Sequence, residues 1–185
     1  MSNIGLGKVF LIMGVSSTGK SSIGEALAKQ VGAKFIDGDD LHPKANILKM
    51  AAGKPLNDND RIPWLERIRD AAFSIEAKNE FGIIVCSALK RKYREQICEG
   101  NKNVNFLHLY GDFELVKQRM LARKGHFMPI ELLQSQFDTL EMPTCDEHNV
   151  FQIDINGDFN TIVKRCIQRI DQIKQQDTLV TAATA

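Results

Sequence analysis

A parallel β-sheet covered by helices on both faces is the fold class that this sequence predicts, on three observations. Apolar strand-like runs alternate with helix-periodic segments along the chain. Two of the runs, Val9–Met13 and Gly82–Cys86 ("GIIVC"), carry no polar alternation, as expected of strands buried on both faces. The 185 residues, 43% hydrophobic and 25% charged, suit one domain with a sizeable core. The expected division is a single domain over residues 1–176 and a disordered tail over 177–185, "DTLVTAATA".

Val9–Met13 reads as the first strand. Ile23, Ala26, Leu27 and Val31 then share one face of a helix that Gly32 ends. Lys34–Ile36 is a short second strand running into "DGDDLHP". Two helices are expected next, one around Lys44–Ala52 and one from Asp60, as N-cap, to about Lys78. Leu65, Ile68, Ala72 and Ile75 form the apolar stripe of the second. Gly82–Cys86 is the third strand, "ALKRKYREQIC" a helix and "NFLHLY" the fourth strand. Asp112 can cap the helix "FELVKQRMLARK", which should stop at Gly125. A helical segment Ile130–Leu140, a last strand Phe151–Ile155 and a closing helix from about Phe159 to Gln175 complete the pattern. Ile162, Cys166, Ile170 and Ile173 line that final helix, and no internal repeat is present.

A formal net charge of +1 lacks the basic footprint of a nucleic-acid binder. Cys86, Cys98, Cys145 and Cys166 show no metal-ligand spacing, which suits reduced, mostly packed thiols. No signal peptide is recognisable at "MSNIGLGK", and the apolar run that follows is too short to span a bilayer. A cytoplasmic protein without membrane or nucleic-acid partners is expected.

Between the first strand and the first helix lies "GVSSTGKS", Gly14 to Ser21, which fits G-x-x-x-x-G-K-[ST] in the strand–loop–helix context that the motif requires. Successive backbone N–H groups in such a loop, at a helix N-terminus, favour an anion. Gly14, Val15, Ser16, Ser17, Thr18, Gly19, Lys20 and Ser21, with the adjoining Ser22, are therefore the candidate nucleotide site. Lys20 supplies charge to the β- and γ-phosphates, and the Ser21 hydroxyl can ligate Mg²⁺. The guanine signature N-K-x-D is approached only by "NKNV", Asn101–Val104, which lacks the aspartate, so ATP is expected.

"FIDGDDLHP" puts Asp37, Asp39 and Asp40 at the same edge of the sheet. Carboxylates beside a triphosphate repel it unless they hold Mg²⁺ or accept a proton, and Asp37 and Asp39 can each do either. In an extended segment, two residues apart, both would face the triphosphate. A turn built on Asp and Gly is the plainer explanation of the same string.

Together with "PLNDNDRIPWL", "CSALKRKYR" and "RKGHFMPIELLQSQFDTLE", these two strings resemble the gluconate kinases (gluconokinases) from Val9 to about Ile155. That resemblance implies the fold of nucleoside-monophosphate and shikimate kinases: a three-layer α/β/α phosphate-loop kinase with a five-stranded parallel sheet and a helical lid, here about residues 123–141. It implies transfer of the ATP γ-phosphate to the 6-hydroxyl of D-gluconate with Mg²⁺, in a homodimer. By likeness to shikimate kinases, Asp37 lies nearer the metal, with Ser21, and Asp39 nearer the substrate. The third strand ends "IVCSA" without a Walker B aspartate, which leaves metal support to that pair. The family usually has Gly-Ser-Gly where this chain has Ser17-Thr18-Gly19.

The cations take roles by the same resemblance. Arg61 matches a position at which related kinases hold an acidic substrate, by paired hydrogen bonds to a carboxylate. Lys90, Arg91 and Arg94 follow the third strand on the acceptor side, either touching substrate or forming a solvated face. Arg119 and Arg123 share one helix face. Adenylate-kinase relatives assign the first to adenine and the second to the transferring phosphoryl, whereas pairing with acids such as Glu114 is the structural alternative. His42 and His126 are candidate substrate contacts, and Trp64 and Phe127 are expected to pack. Catalysis is thus expected of Lys20, Asp39 and Arg123. The competing readings are a shikimate- or nucleotide-type kinase and a non-catalytic nucleotide-binding switch. Against the shikimate type, a glycine triplet is replaced here by Ser87-Ala88-Leu89.

Overall fold

The computed structural model describes residues 7–123 and 129–183. Five strands, β1 (Lys8–Met13), β2 (Lys34–Asp37), β3 (Phe81–Val85), β4 (Val104–Tyr110) and β5 (Val150–Asp154), form one sheet in the order β2-β3-β1-β4-β5. Every pairing is parallel, with Ile12 opposite Val85 and Met13 opposite His108. Helices α1 (Lys20–Val31), α2 (Lys44–Ala51), α3 (Asp58–Ala77), α4 (Arg91–Cys98), α5 (Phe113–Ala122), α6 (Ile130–Thr139) and α7 (Phe159–Ala183) make the connections.

Strand alternation divides the core in two. Phe10, Ile12, Ile83, Val85, Leu107 and Leu109 pack with Ile23 and Leu27 of α1, Val116 of α5, and Ile162, Cys166, Ile170 and Ile173 of α7. On the opposite face Val9, Leu11, Ile84 and Phe106 meet Trp64, Leu65, Ile68, Ala72 and Ile75 of α3, with Tyr93 and Ile97 of α4. These are the three layers expected, and the apolar stripes expected of α3 and α7 are both buried. All four cysteines are free; Cys86 and Cys166 are buried, Cys98 is half-buried and Cys145 is exposed.

Beyond shifts of a single residue, element boundaries differ from expectation in four places. Asp60 does not cap α3. Asn57 does, accepting from the Asp60 N–H at 2.9 Å while Asp60 accepts from the Asn57 N–H at 2.8 Å, a reciprocal capping box. Helix α4 starts at Arg91 because Ala88 has φ 43°, a left-handed conformation that no helix continues through. Helix α5 ends at Ala122, with Arg123 as its extended C-cap, and Gly125 lies outside the described residues. Helix α7 runs to Ala183, so the segment expected to be disordered continues it from 177 to 183; no Gly or Pro is there to stop it.

Buried charge fixes the chain between α6 and β5. Arg94, 2% exposed, donates from Nε and Nη2 to the two carboxylate oxygens of Glu147 at 2.6 and 2.8 Å. Its Nη1 reaches the Ala88 and Leu89 carbonyls at 3.2 and 3.3 Å. Arg91 donates to Glu95 and Asp146, and its backbone N–H to Glu141.

Breaking a buried pair leaves an uncompensated charge. Arg94→Met is therefore expected to cost about 3–5 kcal/mol in urea unfolding. The Arg94 guanidinium holds the Glu147 carboxyl below its ordinary 4.5. The unfolded chain thus binds more protons there, and the pair's contribution is present above that pH and lost below it. The stability gap between wild type and variant should narrow as pH falls through about 4.5 and below. A gap independent of pH would remove the ion pair as its cause.

Candidate active site

The carboxyl edge of the sheet carries a cleft of about 570 Å³ lined by Ser16, Ser17, Gly19, Lys20, Ser21 and Ser22 of the loop, Asp39, Cys86, Ser87, Arg119, Arg123 and Gln136. The loop has its own scaffold. Gly14, at φ 138°, donates to the Ser87 carbonyl, and a Cβ there would lie 2.7 Å from the Leu109 carbonyl oxygen. Thr18 is fully buried and donates to the Val15 carbonyl at 2.9 Å. Gly14, Val15 and Thr18 thus build the loop, and the remaining residues face the cleft. Ser17 holds φ 65°, a left-handed position that glycine occupies without strain.

Lys20 donates to the Val15 carbonyl at 2.8 Å. Burial of its ammonium lowers the pKa to about 8, against the opposing pull of Asp39 and Asp37; Arg123 lowers it further. Burial pushes the neighbouring Cys86 thiol up to about 12, so it is inert there.

Asp37 and Asp39 are not on one extended face. Gly38–Leu41 forms a 3₁₀ turn, with Asp37 as its cap accepting from the Asp39 N–H at 3.0 Å. The other oxygen of Asp37 lies 3.4 Å from Ser21 Oγ. Asp39 is 85% exposed and projects into the cleft. The turn is held from two sides. A Cβ on Gly38 would come 2.3 Å from the Val85 carbonyl oxygen, and Trp64 Nε1 donates to the Gly38 carbonyl at 2.7 Å. Trp64 therefore packs, as expected, and also anchors the acidic turn.

His42 lies behind Asp39 instead of in the cleft. It is 8% exposed, stacked on Trp64 at 4.2 Å between centroids, with Nε2 3.9 Å from Asp39. Burial depresses its pKa; Asp39 acts the other way and Arg61 adds to the depression. A direct substrate contact by His42 does not fit that position.

Next to the cleft, and sharing Ser87 and Gln136 with it, is a bowl of about 480 Å³ lined by Asn57, Asp58, Arg61, Lys90, Tyr93, Ser135 and Thr139. Arg61 donates to the Leu56 carbonyl and lies 5.9 Å from the Tyr93 ring centroid. Asp58 accepts from Lys90, Lys92 and the Tyr93 hydroxyl, which together hold its carboxyl well below the usual range, Lys92 foremost. Arg61 and Lys90 thus reach the bowl. Arg91 lines neither cavity: its guanidinium is spent on Glu95, Thr144 and Asp146, a structural clamp where substrate contact was expected. Arg119 donates to the Ile155 and Gly157 carbonyls at 2.6 and 2.9 Å, not to Glu114, and borders the nucleotide cleft with Arg123. His126 and Phe127 lie outside the described residues.

Gln136, Ser87, Tyr93 and Asp58 were not legible as site residues. Neutral or internally paired side chains leave no motif spacing or unexplained charge. The one available signal was that the quoted string "LLQSQFDTLE" puts polar groups on a helix that periodicity alone explains. Among the described residues no cluster of three metal-ligating side chains occurs, but the Ser21–Asp37 oxygen pair suits a cation that keeps most of its own waters.

A family model for shikimate kinase matches residues 16–171. The thermosensitive gluconokinase of Escherichia coli K12 is 52% identical over 91% of this chain and 90% of its own length. The thermoresistant gluconokinase of the same strain is 46% identical over 90% and 95%. The crystal structure of a gluconokinase from Sinorhizobium meliloti 1021 superposes with a TM-score of 0.84 at 39% identity, covering 94% of this chain and 97% of the other.

Lys20 gives the site a pH signature. A triphosphate favours the charged ammonium, so nucleotide binding takes up a proton wherever free Lys20 has lost one, above about pH 8. Affinity for an ATP analogue should fall by up to about tenfold per pH unit above that value, while Lys20→Arg, which stays charged, shows no such fall. Calorimetry between about pH 7 and 9.5 checks this, and a flat wild-type profile would show that Lys20 does not titrate there.

Proposed function

The chain belongs to the gluconokinase family, and on that premise we propose that it transfers the γ-phosphoryl group of ATP to the 6-hydroxyl of D-gluconate, giving 6-phospho-D-gluconate and ADP. The observation that carries the reading is the shared wall of the two cavities. A phosphate-loop cleft and a bowl with Arg61 and Lys90 in it meet at Ser87 and Gln136, and Asp39 projects into the cleft.

In this reading Arg61, backed by Lys90, takes the gluconate carboxylate, and the chain of hydroxyls runs toward Asp39. Asp39 accepts the proton of the 6-hydroxyl as that oxygen bonds to phosphorus and the bond to the ADP oxygen breaks. Lys20 and Arg123 balance the charge spread over the transferring group, and Arg119 borders the base. His42 packs behind Asp39 and limits where that carboxylate can lie. Ser21 and Asp37 would hold Mg²⁺, which when bound neutralises phosphate charge and orients the β- and γ-oxygens. A homodimer and a cytoplasmic location belong to the same proposal. The exposed Ile47, Leu48 and Met50 of α2 support the first; among the described residues no helix is long and apolar enough to cross a membrane.

Coupled ADP release with gluconate, shikimate, AMP or no acceptor tests the substrate. Turnover with gluconate alone is expected, and equal turnover with shikimate or AMP would replace this reading with the competing one. Asp39→Asn should lower turnover by about 10²-fold or more with nucleotide affinity intact, on the scale of lost general-base help. Asp37→Asn should instead raise the Mg²⁺ requirement. Rescue of Asp39→Asn, and not of Asp37→Asn, by excess Mg²⁺ would reverse the two roles. Arg61→Ala should raise the KM for gluconate by at least about tenfold and leave that for ATP alone, as loss of a paired charged contact does.

A further inference from the structure

The carboxamide of Gln136 is bonded at both ends to one residue of the phosphate loop. Its Oε1 accepts from the Ser16 backbone N–H at 2.6 Å, and its Nε2 donates to Ser16 Oγ at 2.8 Å. Loop N–H groups of this kind are donors for phosphate oxygens. Gln136 Oε1 therefore stands at Ser16 where an anionic oxygen would be held. The same side chain lies in the wall of the acceptor bowl, with Ser135 and Thr139 of the same helix beside it.

Helix α6 is not free to drift. Just beyond it the Glu141 N–H donates to the Leu89 carbonyl at 2.9 Å, and the Glu141 carboxylate accepts from the Arg91 N–H at 2.7 Å. Leu133 is fully buried. Gln136 is thus presented by an anchored helix at the boundary of the two cavities. The phosphate nearest that boundary is the one nearest the acceptor, which is the γ-phosphate.

We infer that Gln136 is a positioning residue that couples the two substrates, linking occupancy of the acceptor bowl to binding of the γ-phosphate through Ser16. The inference rests on the proposed acceptor and goes beyond it. A primary amide suits the task because it offers an acceptor to the Ser16 N–H and donors to an oxygen, with no charge of its own. A γ-phosphate oxygen that takes the Ser16 N–H turns the carboxamide away from it and toward the bowl, and an acceptor that packs on Ser135, Gln136 and Thr139 favours that released placement. By linkage, each ligand then tightens the other by one common factor, and a ligand without the γ-phosphate does not share in it.

The test is calorimetry on the full chain with D-gluconate, ADP and a non-hydrolysable ATP analogue. In wild type, gluconate should tighten the analogue by about fivefold or more and ADP by less than about twofold. In Gln136→Ala the factor for the analogue should fall to about one, with ADP affinity within about threefold of wild type. The isosteric Gln136→Glu puts a like charge beside the γ-phosphate and should weaken the analogue about tenfold relative to ADP. That ratio decides the matter if the Ala variant is too unstable to measure. Coupling retained in Gln136→Ala, an unchanged analogue-to-ADP ratio in Gln136→Glu, or independent binding in wild type overturns the inference. Failure of wild type to bind gluconate in any nucleotide state instead overturns the proposed acceptor, and the inference with it.

Discussion

A parallel sheet sends all its strands in one direction, so five carboxyl ends meet along a single edge and every loop leaving them competes for the same space. Here that constraint decides the site. The order β2-β3-β1-β4-β5 sets β1 between two strands that the chain adds later, and the loop after β1 opens into the crevice between them. The acidic turn after β2 lies two strands away, with the end of β3 in between. It reaches the phosphate loop only by lying flat across that end. Gly38 is what allows this, since any Cβ there would meet the Val85 carbonyl oxygen at 2.3 Å and lift the turn. Trp64 then holds the turn down through its indole N–H. The placement of the acidic turn therefore depends on a residue without a side chain and on a core aromatic of α3.

Charge around this edge follows two separate patterns. Arg91 and Arg94 are matched by Glu95, Asp146 and Glu147, so they fix the α6–β5 connection and leave nothing for a ligand. Arg61, Lys90 and Lys92 converge on the Tyr93 ring at 5.7–5.9 Å, and the two lysines share the Asp58 carboxylate. Of the charged side chains in the wall of the bowl, Arg61 and Lys90 outnumber Asp58, which leaves it positive, an environment that suits an acidic acceptor. Lys90 and Lys92 of one pattern and Arg91 and Arg94 of the other come from one run of sequence, "KRKYR", and nothing in that run tells which residue belongs to which.

That difference marks how far the sequence was legible. The five strands, the two-faced core and the phosphate loop were readable because periodicity and a fixed motif act over neighbouring residues. Ser21, Lys20 and Asp39 lie along one cleft, where the motif and the string after β2 would put them. Arg91 was misplaced because its partners Thr144 and Asp146 are more than fifty residues away, a distance at which spacing carries no signal. Asp37 and Asp39 were put on one face because alternation was assumed through a turn that the Asp37 cap winds into a 3₁₀ helix. Asn57 was passed over as cap for Asp60 although the two form one reciprocal motif. Gln136 was invisible for a deeper reason: its contact to Ser16 spans 120 residues, and an uncharged amide is silent until both partners are placed.

The relation between Asp39 and Lys20 extends the proposed chemistry by one step. Burial lowers the Lys20 pKa to about 8, and Asp39 is the largest of the influences that oppose that shift. Without nucleotide, then, the carboxylate proposed to take the acceptor's proton is also the one that most supports the Lys20 ammonium, and bound phosphates take over that support. A carboxylate that was only a proton acceptor could sit anywhere within reach of the hydroxyl. One that also sets the charge of Lys20 must lie against the phosphate loop, and the Gly38–Trp64 clamp puts it there.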